Sequence, residues 1–283
     1  MNLKFSIITP VFNAAQTLEK TILSVIGQTF DAELEYIIID GGSTDGSLEI
    51  IDRYRDRISL VISEKDKGVY DAMNKGILNA TGDVVGIINS DDWYNEGTLK
   101  TAERKFREHQ DLEILYSPVD TYFNGKHLIK FLPGSLDNLS YKFTINHPSC
   151  FVKKTVYNRI GMFDLSYSIA ADYDFILRAY NAGMEFAFVE DPLASYSLNG
   201  LSGKPLAKFE QIRQSWIIGS QYISNTDKAL QAKRRFFYLK WLLKEMVVFP
   251  VKPFLNPHIS RSIKKQVRGL VGGRLPSDKY GAW

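Results

Sequence analysis

Cysteine is almost missing from this sequence. One residue of 283, Cys150, carries a thiol, so no disulfide can form within the chain, and a reducing compartment suits it. Long apolar runs are missing too. The N-terminal stretch "MNLKFSIITPVFN" is too short to span a bilayer and has no small-residue cleavage site, so it reads as a strand and not as a signal peptide. The expectation is a cytoplasmic chain. Neither GxGxxG nor GxxxxGK[ST] occurs, which excludes the usual glycine-rich phosphate cradles. In "DGGSTDGS" the glycines lie too close together for a dinucleotide fingerprint, and the stretch reads as a turn before a helix. No internal repeat and no low-complexity segment is present.

What is there has an ordinary globular composition, 45% hydrophobic and 24% charged. The length suffices for a substantial core in one domain plus an appendage. The net charge of +3 conceals a division: residues 204–283 hold 16 Lys and Arg against 4 Asp and Glu, whereas residues 1–203 hold 19 against 28. A basic tail on an acidic body points to an anionic partner: phospholipid, nucleic acid or a phosphorylated carrier.

In the first hundred residues apolar strands alternate with helices. "KFSIITPVF" is a predicted strand, and "TLEKTILSVIGQ" a predicted helix with Leu18, Ile22, Val25 and Ile26 on one face. "LEYIIID" is a second strand, and "GGSTDGS" turns into the helix "LEIIDRYRD", with Ser43, Thr44 and Asp45 as capping candidates. Strand "ISLVIS", helix "GVYDAMNKGILNA" and strand "VVGIIN" follow. Strands that are almost wholly apolar and separated by helices predict a parallel sheet covered on both faces and joined by right-handed crossovers. Then come a helix "EGTLKTAERKFREHQ", strands "LEILYSPVDTYF" and "KHLIKFL", an irregular stretch around His147–Pro148, a helix through "ADYDFILRAYNAG" and a strand "EFAFVED". Residues 204–283 read as helical, basic and aromatic, with a boundary near Gly203–Pro205.

Open parallel sheets bind ligands at the carboxyl ends of their strands. Polar groups gather at those ends: Thr9–Pro10–Val11–Phe12–Asn13, Asp40, Glu64–Lys65–Asp66–Lys67–Gly68, and Asn89–Ser90–Asp91–Asp92. Neighbouring carboxylates repel and resist burial. Asp91 and Asp92 therefore fit either a solvated turn capping the next helix or a site for a hard divalent cation. Mg2+ or Mn2+ prefers one or two carboxylates plus phosphate oxygens and water.

Five segments carry a family likeness: "SIITPVFNAAQTLEKTILSVIGQTF", "EYIIIDGGSTDGS", "DKGVYDAMNKGI", "GDVVGIINSDDW" and "ADYDFILRA". In order and spacing they resemble the inverting family 2 glycosyltransferases of bacterial exopolysaccharide, colanic-acid and O-antigen assembly, over residues 4–200. The resemblance implies an α/β protein with the GT-A (Rossmann-like) fold, a mostly parallel sheet flanked by helices. It implies a GT-A domain over 1–203, with a nucleotide-sugar-binding half at 1–95 and an acceptor half at 96–203, and a helical basic extension over 204–283. The implied activity moves a sugar, with inversion, from a nucleotide-sugar donor (a UDP-sugar favoured) to a hydroxyl of a glycan acceptor. A lipid-linked acceptor in surface polysaccharide biosynthesis and a divalent cation, Mn2+ or Mg2+, complete the expectation.

Position by position, the resemblance places Thr9, Pro10, Phe12 and Asn13 around the nucleoside, with Phe12 against the base where the family usually has Tyr. Asp40 would accept a hydrogen bond from the base. Asp66 and Lys75 join the donor site. Lys67 or Lys75 would meet the diphosphate, because Met73 stands where many relatives have Arg. Asp91 and Asp92 match the metal and ribose-diphosphate motif, with Asn89 at its earlier acidic position. Asp172 matches the acid of the family's ED-type motif, with Ala171 in place of Glu, and takes the role of the base that deprotonates the acceptor. On spacing alone Asp172 also fits a helix N-cap. Trp93 fits either an apolar platform for a sugar face or a core position, and His147 either a structural place or one near the acceptor or diphosphate. Asp174 and Arg178, four apart, predict a local ion pair.

In "KRRFFYLKWLLKEMVVFPVKPFL" the charges of Lys240, Lys244 and Glu245 interrupt the apolar run, so it does not span a bilayer. As a helix it groups Phe236, Leu239, Leu243 and Met246 on one face and Lys233, Lys240 and Lys244 on another. That suits a membrane interface or, alternatively, a core-packed helix with a solvated basic side. The expected membrane contact runs through residues 233–268, on the inner face of the cell membrane. No nucleic-acid recognition motif accompanies the charge, so no such partner is expected. Two other functions stay open. A nucleotidyltransferase would need a glycine-rich, Lys/Arg-bearing loop, which "TPVFNAAQT" lacks. A non-catalytic membrane-peripheral adaptor is favoured by Asn89 and Met73 and opposed by Asp40, Asp91, Asp92 and Asp172.

Overall fold

In the computed structural model, which describes residues 3–123, 125–198, 205–224 and 226–248, strand β1 (Lys4–Val11) is buried at every position after Lys4. Burial of that kind requires cover on both faces. Helix α1 (Leu18–Ile26) leads to β2 (Glu33–Asp40), α2 (Ser47–Arg53) to β3 (Leu60–Ser63), and α3 (Val69–Asn79) to β4 (Val84–Ile87). β1 pairs in parallel with β2 and β4, and β2 with β3. A helix as short as α1 does not persist alone. Its Leu18, Ile22 and Val25 are fully buried, and each contributes roughly 1.5–3 kcal/mol, enough to offset nucleation. Ile26 is only half-buried. α3 approaches β1 so closely that a Cβ on Gly76 would stand 2.4 Å from Ile8 Cγ2.

The chain continues through β5 (Trp93–Tyr94), α4 (Thr98–Glu108), β6 (Ile114–Tyr116), β7 (Val119–Phe123), β8 (Lys126–Phe131), β9 (Phe151–Lys153), α5 (Lys154–Ile160), α6 (Ala171–Asn181), β10 (Phe186–Phe188) and β11 (Ala194–Ser197). Among the described residues the main sheet has seven strands in the order β10-β6-β9-β4-β1-β2-β3. It is parallel except for β9, which runs antiparallel between β4 and β6. The remaining strands form a second sheet, β5-β11-β7-β8. The stretch "LEILYSPVDTYF" is thus two strands in two sheets. Pro118 has no N–H for a ladder, and the chain changes sheets there. In the core, Phe5 meets Phe30, Phe106 and Phe151 edge-on, with centroids 5.8, 6.3 and 6.2 Å away.

The described residues divide into two compact units, one within Met1–Leu132 and Ile145–Ser197, the other within Pro133–Thr144 and Leu198–Trp283. Pro133–Thr144, expected in the acceptor half, therefore groups with the C-terminal residues. Residues 199–204, around the expected boundary, lie outside the described residues. The second unit contains α7 (Pro205–Ser220) and α8 (Lys228–Val248). The Arg234 guanidinium lies 3.8 Å over the Trp216 ring, and Phe237 meets Tyr141 edge-on at 5.9 Å. The opposite face of α8 exposes Phe236 (59%), Leu239 (56%), Leu243 (50%) and Met246 (56%). No helix among the described residues is long and apolar enough to cross a membrane. Residues 249–268 of the expected membrane contact lie outside the described residues.

Candidate active site

β1, β2 and β4 run the same way, so their carboxyl ends share one edge. Thr9 does not look out from it. Its side chain is buried, with Oγ1 3.1 Å from the Tyr36 hydroxyl, and Pro10 is buried as well. Phe12 and Asn13 do face out, Phe12 with 62% of its surface exposed. Asn13 adopts a left-handed φ of +49°, which a short amide side chain tolerates by bonding locally. Its N–H donates to Ser43 Oγ at 2.8 Å, and its Oδ1 accepts from the Thr44 N–H at 2.9 Å. Asp45 accepts from the N–H groups of Ala15 and Ser47. Gly46, not Ser43, Thr44 or Asp45, is the N-cap of α2.

Asp40 is fully buried. Its Oδ2 accepts from the N–H groups of Gly42 and Ser43, each at 3.1 Å, and from Ser63 Oγ at 2.7 Å. Three donors make the buried carboxylate tolerable. It shapes the turn after β2, with neither oxygen exposed to solvent. Beside it, the Asp66 carboxylate lies against Gly41, so a Cβ there would push that side chain aside. Asp66 is half-buried and accepts the Gly68 N–H at 2.8 Å. The Lys75 ammonium is engaged by Glu64 at 2.7 Å and Asp71 at 3.6 Å, which raises its pKa. Lys67 is exposed.

After β4 the chain turns, with the Asp92 N–H on the Asn89 carbonyl at 3.0 Å. Asp92 is fully buried. Its Oδ1 accepts the Ser197 N–H at 2.9 Å and its Oδ2 accepts Asn89 Nδ2 at 3.2 Å. Burial and the charge of Asp91 push its pKa well above the usual carboxylate range, and burial also raises that of Asp91. Asp92 therefore ties the turn to β11, and Asp91, half-buried, is the more accessible of the two acids. Asn89 Oδ1 is buried without a partner. No cluster of three or more His, Cys, Asp or Glu that could hold a metal occurs among the described residues. One carboxylate and one orphaned amide oxygen do not make a closed cage. They fit Mg2+ or Mn2+ completed by phosphate oxygens and water.

Asp172 lies in the first turn of α6, one residue past its start, so it is not the N-cap, which is Ala170. It is half-buried, and the helix N-terminus favours its charge. Its Oδ1 accepts the Tyr70 hydroxyl at 3.0 Å and the Tyr173 N–H at 2.9 Å. Burial raises its pKa to about 6, against the pull of these bonds. Tyr70 begins α3, just beyond the carboxyl end of β3, so its bond brings Asp172 to the edge where the strand ends gather.

Around this pair, Phe163 packs against Tyr70, His147 and Phe175 at centroid distances of 5.5, 5.6 and 5.3 Å. Arg178, paired with Asp174 at 2.8 Å as the spacing predicts, donates to the carbonyls of Ile160 and Met162 and so anchors the loop before Phe163. His147 is half-buried, and burial holds its imidazole neutral with a pKa of about 4. It reaches this edge because β9 is antiparallel: residues before β9 come level with the end of β4, as the pairing of Gly86 with Phe151 requires. Trp93 does not offer a platform there. The Lys20 ammonium lies 2.9 Å from its ring centroid and Tyr122 packs on it at 4.8 Å. Sequence reasoning missed Tyr70, Asn74 and Phe163. The available signal was Asn74, an amide on the buried face of a helix.

A profile described as "Glycosyl transferase family 2" matches residues 6–161. A PGL/p-HBAD biosynthesis glycosyltransferase of Mycobacterium tuberculosis is 32% identical over 204 residues, covering 70% of this chain and 78% of that protein. Residues 1–349 of Staphylococcus aureus TarS, in complex with UDP-GlcNAc, superpose with a TM-score of 0.62 at 22% identity, over 84% of this chain and 72% of that one. Against a longer TarS chain, the match spans 43% of its length. The mannosyltransferase PcManGT of Pyrobaculum calidifontis, in complex with GDP-Man and Mn2+, gives a TM-score of 0.65 at 14% identity, over 95% of this chain and 81% of that one. These structures share the GT-A fold with the α/β architecture described above. The chain belongs to glycosyl transferase family 2 and is a glycosyltransferase.

Proposed function

We propose that the protein transfers a sugar, with inversion, from a nucleotide-sugar donor to a hydroxyl of a lipid-linked glycan in surface polysaccharide assembly. The observation that carries this reading is the Asp172 carboxylate, desolvated yet half-buried and tied to Tyr70 at the carboxyl edge of the sheet. Inverting transfer needs one base, which takes the acceptor's proton as its oxygen attacks the anomeric carbon. A pKa of about 6 keeps Asp172 ionised at neutral pH and more basic than an ordinary aspartate. The departing nucleoside diphosphate keeps the electron pair of the broken bond and needs no proton. When bound, a divalent cation supplies charge neutralisation at that diphosphate. Asp91 and Asn89 would hold it.

Phe12 offers an exposed ring to the base. Asn13 and Asp66 complete the donor side, and Lys67, which is exposed, or Lys75 would meet the diphosphate. His147, neutral at physiological pH, would bond an acceptor hydroxyl. GDP-Man and Mn2+ in the PcManGT complex and UDP-GlcNAc in the TarS complex support a nucleotide-sugar donor and a divalent cation, with UDP favoured. The exposed apolar face of α8, on a tail rich in Lys and Arg, supports a peripheral place on the anionic inner face of the cell membrane.

The test is transfer from a panel of UDP-, GDP- and dTDP-sugars to a lipid-linked acceptor extract with Mn2+. Asp172→Asn is expected to abolish transfer while donor binding persists. Retention of transfer by that variant overturns the assignment of the base.

A further inference from the structure

The base assigned above has a partner that determines which of its oxygens is free. Both hydrogen bonds that other residues make to the Asp172 carboxylate end on Oδ1: the Tyr70 hydroxyl at 3.0 Å and the Tyr173 N–H at 2.9 Å. Among the described residues no other residue's side chain or N–H donates to Oδ2. Tyr70 has little freedom to turn away. It is buried, with 8% of its surface exposed, and its ring packs on Phe163. Phe163 is itself clamped, because Asn74 binds both its N–H and its carbonyl. The phenol keeps its proton at working pH, since burial and the neighbouring charge of Asp172 raise its pKa well above 10.0, and that proton faces the carboxylate. It donates, and it donates to one oxygen.

We propose that Tyr70 is a positioning residue for the transfer reaction: with the Tyr173 N–H it occupies Oδ1 of Asp172 and leaves Oδ2 as the atom that takes the acceptor's proton. The proposal rests on the reading of Asp172 as the base. In the step, the acceptor O–H proton moves to Oδ2 and the acceptor oxygen's electron pair forms the new bond to the anomeric carbon. The bond from that carbon to the diphosphate breaks, and its pair stays on the phosphate oxygen. Tyr70 keeps its proton throughout. Its bond is strongest to the ionised carboxylate, so it holds the base in its working form as well as in its working orientation.

Of the groups around Asp172, the carboxyl of Asp174 is also raised by burial, while the other two, Cys150 and His147, keep one protonation state. The Cys150 thiol, on the strand side, is pushed up by burial and by the charge of Asp172 and stays protonated. Asp174, the next acid on α6, is paired with Arg178. His147, beyond Phe163, is neutral above pH of about 4.

The test is the pH profile of kcat, measured on full-length protein for wild type, Tyr70→Phe and Asp172→Asn. Tyr70→Phe removes a donor to the ionised form, so its acid limb should move up by about one pH unit. Its plateau kcat should fall about tenfold with the donor KM unchanged. A purely structural role for Tyr70 would lower the plateau or the melting temperature and leave the limb in place, and that result overturns the proposal. Site-specific replacement of Tyr70 by 3-fluorotyrosine keeps the ring, makes the phenol a stronger donor, and should move the limb down. That replacement decides the matter if the phenylalanine variant does not fold. Transfer that survives Asp172→Asn overturns the reading of the base and this proposal together. An inactive Asp172→Asn beside an unmoved limb in the Tyr70 variants overturns the positioning role alone.

Discussion

Phe163 is bound to Asn74 at both of its backbone polar groups. Asn74 Nδ2 donates to the Phe163 carbonyl at 2.8 Å, and the Phe163 N–H donates to Asn74 Oδ1 at 3.0 Å, across 89 residues of sequence. One amide side chain thus stands in for a strand partner and fixes the loop that backs the candidate base. Asn74→Ala would leave a buried N–H and a buried carbonyl without partners. The expected loss is about 2–4 kcal/mol in urea unfolding. A loss under about half a kcal/mol would mean that the loop re-forms without Asn74.

Asp172 should be destabilising where it is ionised. Its folded pKa of about 6 lies above that of an unfolded aspartate, so the native state binds a proton more tightly. Stability therefore falls as pH rises from about 4 through about 6 and is level above. Asp172→Asn should raise stability by about 1–2 kcal/mol at pH 8, a figure discounted for its partial contact with water. The gain should shrink at pH 4. Melting curves at the two pH values decide it, and an equal gain at both would mean that the carboxyl is not raised.

Glu35 carries the opposite sign. Burial would raise its pKa, but hydrogen bonds from Ser6 Oγ and from the N–H and Oγ1 of Thr81, with the Lys4 ammonium, outweigh it and hold the carboxyl at about 2. Its contribution is present above the unfolded glutamate value and is lost as pH falls from about 4 towards about 2. Glu35→Gln should lose about 2–3 kcal/mol at pH 7 and far less at pH 3. Guanidinium unfolding at both pH values measures the difference.

Asp91 and Asp92, adjacent in sequence, should separate cleanly by calorimetry. Asp91→Ala is expected to remove Mn2+-dependent nucleotide binding with little change in melting temperature. Asp92→Ala strips partners from the Ser197 N–H and from Asn89. It should cost about 2–4 kcal/mol of stability. Equal effects of the two variants would show that the turn does not sort the acids.

The outer face of α8 should bind anionic lipid. Serine at Phe236, Leu239, Leu243 and Met246 together is expected to release the protein from phosphatidylglycerol vesicles in sedimentation. Folding should be spared, because each of the four is at least half exposed. Wild-type protein that stays in the supernatant would remove the membrane from the proposed function.

The central parallel sheet was legible in the sequence because its first strands are largely apolar runs bounded by turn residues, as "KFSIITPV" shows. The strand-end loops were legible for the same reason. What periodicity does not carry is which member of a polar pair turns inward. Asp91 and Asp92 are chemically alike, and pairing of Trp93 with Ser195 on a strand a hundred residues away fixes their orientation. Thr9, Asp40, Lys75 and Trp93 show the same limit. Each has a partner elsewhere in the fold, Tyr36, Ser63, Glu64 or Lys20, that local pattern does not reveal. Two- and three-residue strands such as β5 and β9 are too short to leave a period at all.

β9 has a consequence for how the chain is made. It is three residues long, yet it sits between β4 and β6 and pairs with both. Until residue 153 has left the ribosome, the nascent chain presents β4 as a bare, wholly apolar border, open to a neighbouring polypeptide. Fragments cut ahead of that point should collect in inclusion bodies, and a translational pause placed just before it should increase dependence on chaperones.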